Sequence, residues 1–276
     1  GMVVSVQDIH PRAYYQAFHA SANPEGYADE DERYAREQDL IARTLETAGP
    51  EVPATLDVDA DGDGIVDNVA VVVSGAADGW SDLLWSHAWE LYAHEVTLGG
   101  VPVRGFMFVM RDQLDRFTLA HELFHTMGAP DLYHYSLDGR PVVGPWDLME
   151  AGSGHMSAWM KHRYGGWIDA IPYAQPGLNE VRALTERTGS ALRVPIQGTA
   201  SEFVVVEFRQ RTGALESAVP GTGLVAYRIV PAHNGNGDGP PDEVYAFRPG
   251  GSPDSDGDIY SAWLGAHGGR PTLSPQ

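Results

Sequence analysis

The chain has 276 residues, of which 43% are apolar and 10% are aromatic, enough to bury the core of one large domain or two smaller ones. Acidic residues outnumber basic ones by 38 to 18, for a formal charge of −20, and such a surface argues against binding to nucleic acids or to anionic membranes. Cysteine is absent, which excludes disulfides, thiol catalysis and thiolate metal ligands.

Within these 276 residues we expect neither a membrane span nor a signal peptide. The longest apolar runs of the sequence, such as residues 69–73, are far shorter than the roughly 20 residues that cross a bilayer, so we expect no membrane insertion. Residues 1–5 lack the basic and long apolar regions of an export signal. Gly1 before Met2 leaves room for an export signal or a pro-segment that has been trimmed away.

The first predicted helix covers residues 29–48. Tyr34, Ile41 and Leu45 share one face at helical spacing, and acidic residues crowd the first turn, where the helix dipole favours them. The Gly49-Pro50 pair is expected to end the helix.

An acid-rich loop follows, and its spacing resembles the first part of an EF-hand. Asp59, Asp61, Asp63 and Asp67 occupy positions 1, 3, 5 and 9, and Ile65 at position 7 would offer its carbonyl. No bidentate glutamate closes the loop, and a frame that begins at Asp57 is an alternative. Oxygen ligands at this density suit Ca²⁺, so we predict a structural calcium site. The other interpretation is a solvated acidic turn.

Strands are predicted at residues 69–73 and 101–110, while the type of element between them is left open. A second helix is predicted at residues 113–127, with Asp112 as its N-cap. Gly128 and Pro130 are expected to stop it.

This second helix carries the sequence His-Glu-Leu-Phe-His. Residues four apart lie on one helix face about 6 Å apart, so His121 and His125 can bind one zinc ion. Glu122 would lie beside the first ligand and act as a general base on a water molecule. The pattern therefore predicts a catalytic zinc site.

Catalytic zinc usually has three protein ligands. Gly128 breaks the helix and turns the chain, so that Asp131 can approach the ion and is the preferred third ligand. His134 and Glu150 are the alternatives.

Two further features of such a site are expected downstream of the zinc ligands. Met149, next to a glycine-rich turn, is predicted to form a Met-turn beneath the metal. A transition-state stabiliser is expected opposite the base, and Tyr133 and His155 are the candidates, with Tyr135 also near enough in sequence.

A short helix is predicted after Ser157, and β-rich runs follow from about residue 172. We therefore predict an α+β fold: a zincin-like α/β catalytic domain at residues 1–171 and a small all-β, sandwich-like subdomain at residues 172–276.

Several segments of the sequence resemble one known protein family. HELFHTMGAPDLY at residues 121–133, VGPWDLMEAGSG at 143–154 and SAWMKHRYGGW at 157–167 look like the immune inhibitor A family of secreted bacterial zinc metallopeptidases. The acid loop and the later EFVVVEFRQR and VPGTGLVAYRIV resemble it too, so the similarity covers about residues 56–230. It implies a metzincin-like domain with zinc on His121, His125 and Asp131, Glu122 as general base and Met149 in the Met-turn.

The sequence thus predicts a secreted zinc endopeptidase with a structural calcium ion, acting on protein or peptide substrates and not on nucleic acid. The runner-up is a catalytically idle, metal-stabilised binding module on a zincin scaffold. The intact Glu122 argues against it, because an idle site needs no base.

Overall fold

A computed structural model describes residues 3–136, 138–151, 154–184, 190–252 and 255–265. The chain divides into two compact units, Gly1–Thr126 and Met127–Gln276. This division falls earlier than the predicted boundary after residue 171. The reason is visible inside the second unit, where Ala158 donates to the Glu207 carboxylate and the Trp159 ring packs edge-on against Phe203.

In residues 3–126, the first unit has two α-helices and five strands. They are α1 (Glu30–Ala48), β1 (Ala70–Val73), β2 (His87–Glu90), β3 (Thr97–Leu98), β4 (Val101–Pro102), β5 (Gly105–Met110) and α2 (Arg116–Thr126). One sheet has the order β1-β5-β2, with β1 parallel and β2 antiparallel to β5. Strands β3 and β4 form a hairpin.

The core of this unit lies between α1 and the three-stranded sheet. Leu40, Ile41 and Leu45 of α1 are buried in one hydrophobic cluster with Phe106 and Phe108 of β5. The Asp29 side chain accepts a hydrogen bond from the Glu32 amide, as an N-cap should. The predicted first helix is therefore confirmed.

Helix α2 begins later than predicted. Residues Arg111–Gln113 form a separate 3₁₀ turn, and the Asp112 carboxylate accepts from the Ala77 amide instead of capping a helix. The cap is Asp115, whose Oδ1 accepts from the amides of Phe117 and Thr118 at 2.7 and 3.1 Å. Asp112 was thus the wrong cap, because both aspartates fit the sequence pattern and only tertiary contacts separate them.

Over its described residues, the second unit has three short α-helices and four strands. They are α3 (Leu148–Ala151), α4 (Ala158–Arg163), β6 (Ala191–Pro195), β7 (Phe203–Arg209), α5 (Gly213–Glu216), β8 (Gly223–Ile229) and β9 (Val244–Ala246). The predicted helix after Ser157 is confirmed, and the Ser157 side chain caps it by accepting from the Met160 amide.

The four strands pair in the order β6-β7-β8-β9, each antiparallel to the next. The β-rich character predicted from the sequence is confirmed, and the fold is mixed α+β. A second sheet facing this one, which a sandwich requires, is absent from the described part of the chain. All four strands among the described residues 172–184, 190–252 and 255–265 belong to one sheet, so those residues do not form the predicted two-sheet sandwich.

Among the described residues, no helix combines the length and the apolar character that crossing a membrane requires.

Candidate metal centres

The two histidines of helix α2 face one another. Their Nε2 atoms are 3.1 Å apart, and the rings meet nearly at right angles. Two nitrogens bound to one tetrahedral zinc ion at about 2.1 Å would be about 3.4 Å apart, so His121 and His125 have the required spacing. Both side chains are half-buried.

Asp131 completes this group. Ligand atoms of His121, His125 and Asp131 all lie within 4.8 Å of one another, and Asp131 is buried. Gly128 has a φ of 89°, a left-handed conformation that favours glycine and ends the helix. Two imidazole nitrogens and one carboxylate oxygen form the donor set typical of catalytic zinc.

The alternative third ligands are engaged elsewhere. His134 is buried, with Nδ1 2.9 Å from Asp138 Oδ2 and Nε2 2.7 Å from Asp242 Oδ1. The Glu150 carboxylate accepts hydrogen bonds from the amides of residues 142, 143 and 144. Burial raises the pKa of Glu150 to about 7, although these amides lower it. Glu150 therefore anchors the loop before it.

Met149 is fully buried and lies beside the Asp131 segment. Its carbonyl accepts from the Leu132 amide at 2.9 Å, and its own amide donates to Asp147 Oδ1 at 3.0 Å. Met149 lies in the short helix α3, shortly after the 3₁₀ turn Gly144–Trp146, and its place beneath a metal ion stays a prediction.

Glu122 has only 4% of its surface exposed, although it lies between the half-buried His121 and the exposed Leu123 on α2. Close to it in the first unit, His87 has its Nε2 2.7 Å from Glu37 Oε1 and donates from Nδ1 to the Trp85 carbonyl at 2.8 Å. Burial lowers the pKa of His87, but the Glu37 hydrogen bond and charge outweigh it. The charge of Glu122 adds to the net rise, so the two side chains interact electrostatically.

The candidate stabilisers have different surroundings. His155 is 4% exposed; its Nδ1 lies 3.0 Å from the Met156 carbonyl and its Nε2 3.3 Å from Glu216 Oε1. The rings of Tyr133 and Tyr135 meet edge-on with centroids 5.6 Å apart. The Tyr135 hydroxyl donates to Asp131 Oδ2 at 2.8 Å, a contact that no sequence pattern signals.

The acid loop contains a second possible metal site. Ligand atoms of Asp59, Asp61 and Asp67 lie within 4.8 Å of one another. Asp63 does not join that group, and its Oδ1 instead accepts from the Ile65 amide at 2.8 Å. The Ile65 carbonyl as a calcium ligand stays a prediction. Asp59 Oδ2 also turns inward and accepts from the amide of Gly64, whose φ of 84° supports the sharp turn.

A buried charged cluster in the second unit was not predicted from the sequence. Arg209 is fully buried and forms ion pairs with Glu207 and Glu216. It also donates to the Trp146 carbonyl at 2.6 Å, next to Asp147, whose Oδ2 accepts from the Ser157 amide. The alternating burial of β7 puts Glu207 and Arg209 on its inner face, but the sequence does not reveal which charges meet there.

Comparison of the chain with known protein families gave no match, and comparison with curated proteins gave none either. The residues and their geometry are therefore the basis for assigning a function.

Proposed function

We propose that this protein is a zinc-dependent endopeptidase with a zincin-like, metzincin-type catalytic domain. The observation that carries the proposal is the convergence of His121, His125 and Asp131 beside the buried carboxylate of Glu122 on the same helix. The buried Met149 next to the Asp131 segment supports it further. The resemblance of these motifs to secreted peptidases also supports action outside the cell.

The chain's own residues divide the chemistry between them. His121, His125 and Asp131 would hold the ion, and zinc when bound supplies Lewis acidity that makes a water molecule acidic near pH 7 and polarises a carbonyl. Glu122 accepts the proton of the attacking water at its carboxylate and returns it to the leaving amine. The low exposure of Glu122 keeps bulk water from competing for that proton.

A calcium ion in the acid loop is the second part of the proposal. Asp59, Asp61 and Asp67 supply hard oxygen ligands, which Ca²⁺ prefers. Three carboxylates at this spacing repel one another in the absence of a cation, so the ion would stabilise the loop ahead of β1.

The test is hydrolysis of an unstructured protein such as casein by the purified chain. We expect cleavage that a zinc chelator abolishes and added zinc restores. The Glu122→Gln variant should keep its zinc yet lose about 10²–10⁴-fold in turnover. A zinc-loaded wild type that cleaves nothing, or a Glu122→Gln variant of near-normal activity, would refute the proposal; the first outcome would favour the idle binding module.

A further inference from the structure

Tyr135 makes a specific contact with the proposed third ligand. Its hydroxyl donates to Asp131 Oδ2 at 2.8 Å, while Asp131 is 6% exposed. A carboxylate has about four lone-pair sites, so it can accept this hydrogen bond and still coordinate a metal. Such hydrogen bonds to metal-binding carboxylates fix their orientation.

The loop at residues 235–237 holds Tyr135 in place. The Tyr135 amide donates to the Gly237 carbonyl at 2.9 Å, and the ring lies directly against Gly237. A Cβ atom at Gly237 would come within 2.4 Å of Tyr135 Cε2. The ring can therefore occupy this position only because residue 237 has no side chain.

The same loop holds the other end of the segment. The Asn236 amide donates to the Asp131 carbonyl at 2.9 Å, and the fully buried Asn236 side chain donates to the Leu132 carbonyl at 2.9 Å. Asn236 also pairs with the backbone of Val244 through two hydrogen bonds. The backbone of Asp131 is thus fixed independently of the Tyr135 hydroxyl, which leaves the hydroxyl to set the direction of the carboxylate.

We propose that Tyr135 is a positioning residue that orients the Asp131 carboxylate for metal binding, and that Gly237 maintains this contact by leaving room for the ring. The proposal rests on the proposed zinc site. It also separates Tyr135 from the role of transition-state stabiliser, because one hydroxyl proton donated to Asp131 is not available to a substrate oxyanion.

The experiment measures zinc affinity by competition with a chromophoric chelator. Tyr135→Phe removes the hydroxyl and keeps the ring, and we expect zinc to bind about 10–100-fold more weakly. Gly237→Ala, at a residue without a positive φ, should weaken zinc binding in the same range by displacing the ring. The double variant should bind zinc no more weakly than the single variant with the lower affinity, because both substitutions break the same contact.

Tyr164→Phe is the matched control. It removes another tyrosine–carboxylate hydrogen bond of 2.8 Å, which the Tyr164 hydroxyl donates to Glu243. This bond lies in the same unit, but its acceptor is not Asp131. We expect wild-type zinc affinity from this variant. At saturating zinc, Tyr135→Phe should recover most of the wild-type kcat, which a stabiliser of the transition state would not allow.

The inference would be overturned by wild-type zinc affinity in Tyr135→Phe, by an equal loss of affinity in Tyr164→Phe, or by a kcat of Tyr135→Phe that stays low at saturating zinc. A wild-type protein that binds no zinc would instead overturn the proposed function itself. Melting temperatures of the metal-free variants equal to that of the metal-free wild type would establish that the fold is unchanged, and a large drop for Tyr135→Phe would count against positioning.

Discussion

Asp131, His134 and Glu150 follow helix α2, and each is of a residue type that can bind zinc. Their hydrogen bonds distinguish them. Both ring nitrogens of His134 already face carboxylates, and Glu150 is surrounded by backbone amides. Asp131 lies with the two histidines. The order of preference drawn from the sequence thus has a physical basis in how each side chain is engaged.

The first prediction concerns these three residues. Asp131→Ala should be purified almost free of zinc, whereas His134→Gln and Glu150→Gln should retain the wild-type zinc content, because only Asp131 reaches the histidines. Zinc per folded chain, measured by atomic absorption, decides the matter. A metal-free Glu150→Gln with normal zinc in Asp131→Ala would mean that the third ligand is the glutamate.

His155 gives a prediction about pH. Burial, and then the charges of Arg209 and Lys161, lower the pKa of His155 to about 4. An unfolded histidine binds its proton near pH 6.5, so the unfolded state takes up a proton first as the pH falls. The stabilisation by neutral His155 is therefore complete above pH 6.5 and is lost between pH 6.5 and 4.

In that interval the unfolding free energy should fall by up to about 1.4 kcal/mol per pH unit on account of this one group. His155→Gln should make the fall shallower, as urea unfolding at pH 7.5, 6 and 5 would measure. If the unfolding free energy falls equally steeply with pH in the wild type and the variant, another group governs the loss of stability in acid.

At the scale of single elements, the acid loop and helix α2 differ in how they are stabilised. Helix α2 has an internal cap in Asp115 and a glycine stop. The loop before β1 depends on carboxylates that accept from its own amides, such as Asp61 Oδ1 from Asp63 at 3.1 Å. These hydrogen bonds shape the turn but leave the negative charges uncompensated within it.

We therefore predict that calcium stabilises the protein through this loop. The gain is RT ln(1 + [Ca²⁺]/Kd), about 2.7 kcal/mol at a hundredfold excess over Kd. The melting temperature of the wild type should rise with added calcium, and that of an Asp59→Asn, Asp61→Asn double variant should rise much less.

Asp57→Asn is the control for this prediction. It removes a negative charge from the same loop, but Asp57 is outside the group of three ligands, so the calcium response should persist. Zinc content should be the same in all variants. A wild-type melting curve indifferent to calcium would mean that the loop is an ordinary acidic turn.

At the scale of the whole molecule, the Arg209 cluster is the feature with the largest expected effect on stability. Arg209 connects β7, helix α5 through Glu216, and the turn before Met149 through the Trp146 carbonyl. Loss of its charge would leave the buried Glu207 and Glu216 without the cation that donates hydrogen bonds to both. Removing one partner from a buried ion pair costs about 3–5 kcal/mol.

Arg209→Met should therefore lower the unfolding free energy by about 3–5 kcal/mol, measured by urea denaturation. Arg211→Met is a matched control two residues along the chain, because Arg211 is exposed and should contribute within about 0.5 kcal/mol. Equal effects of the two substitutions would contradict the stabilising role of the cluster.

The sequence predicted those features that depend on local spacing. His121 and His125 could be paired because four residues bring side chains to one face of a helix, and the strands of the second unit followed from β-branched runs. The partners of Arg209 could not be predicted, because Trp146 is 63 positions away. The choice between Asp112 and Asp115 as helix cap likewise depended on a distant contact, the amide of Ala77.

Lys161 is the only lysine in the chain, and it lies 4% exposed beside the Arg209 cluster. Burial lowers its pKa to about 8, so a good part of its amine is unprotonated in mildly alkaline solution, yet reagents cannot reach it while the second unit is closed. Acylation of this amine by an activated ester would therefore report the rate at which the cluster opens. Apart from the N-terminal amine, Lys161 carries the only primary amine in the sequence. Mass spectrometry of the peptide that contains Lys161 would therefore follow this opening without any substitution.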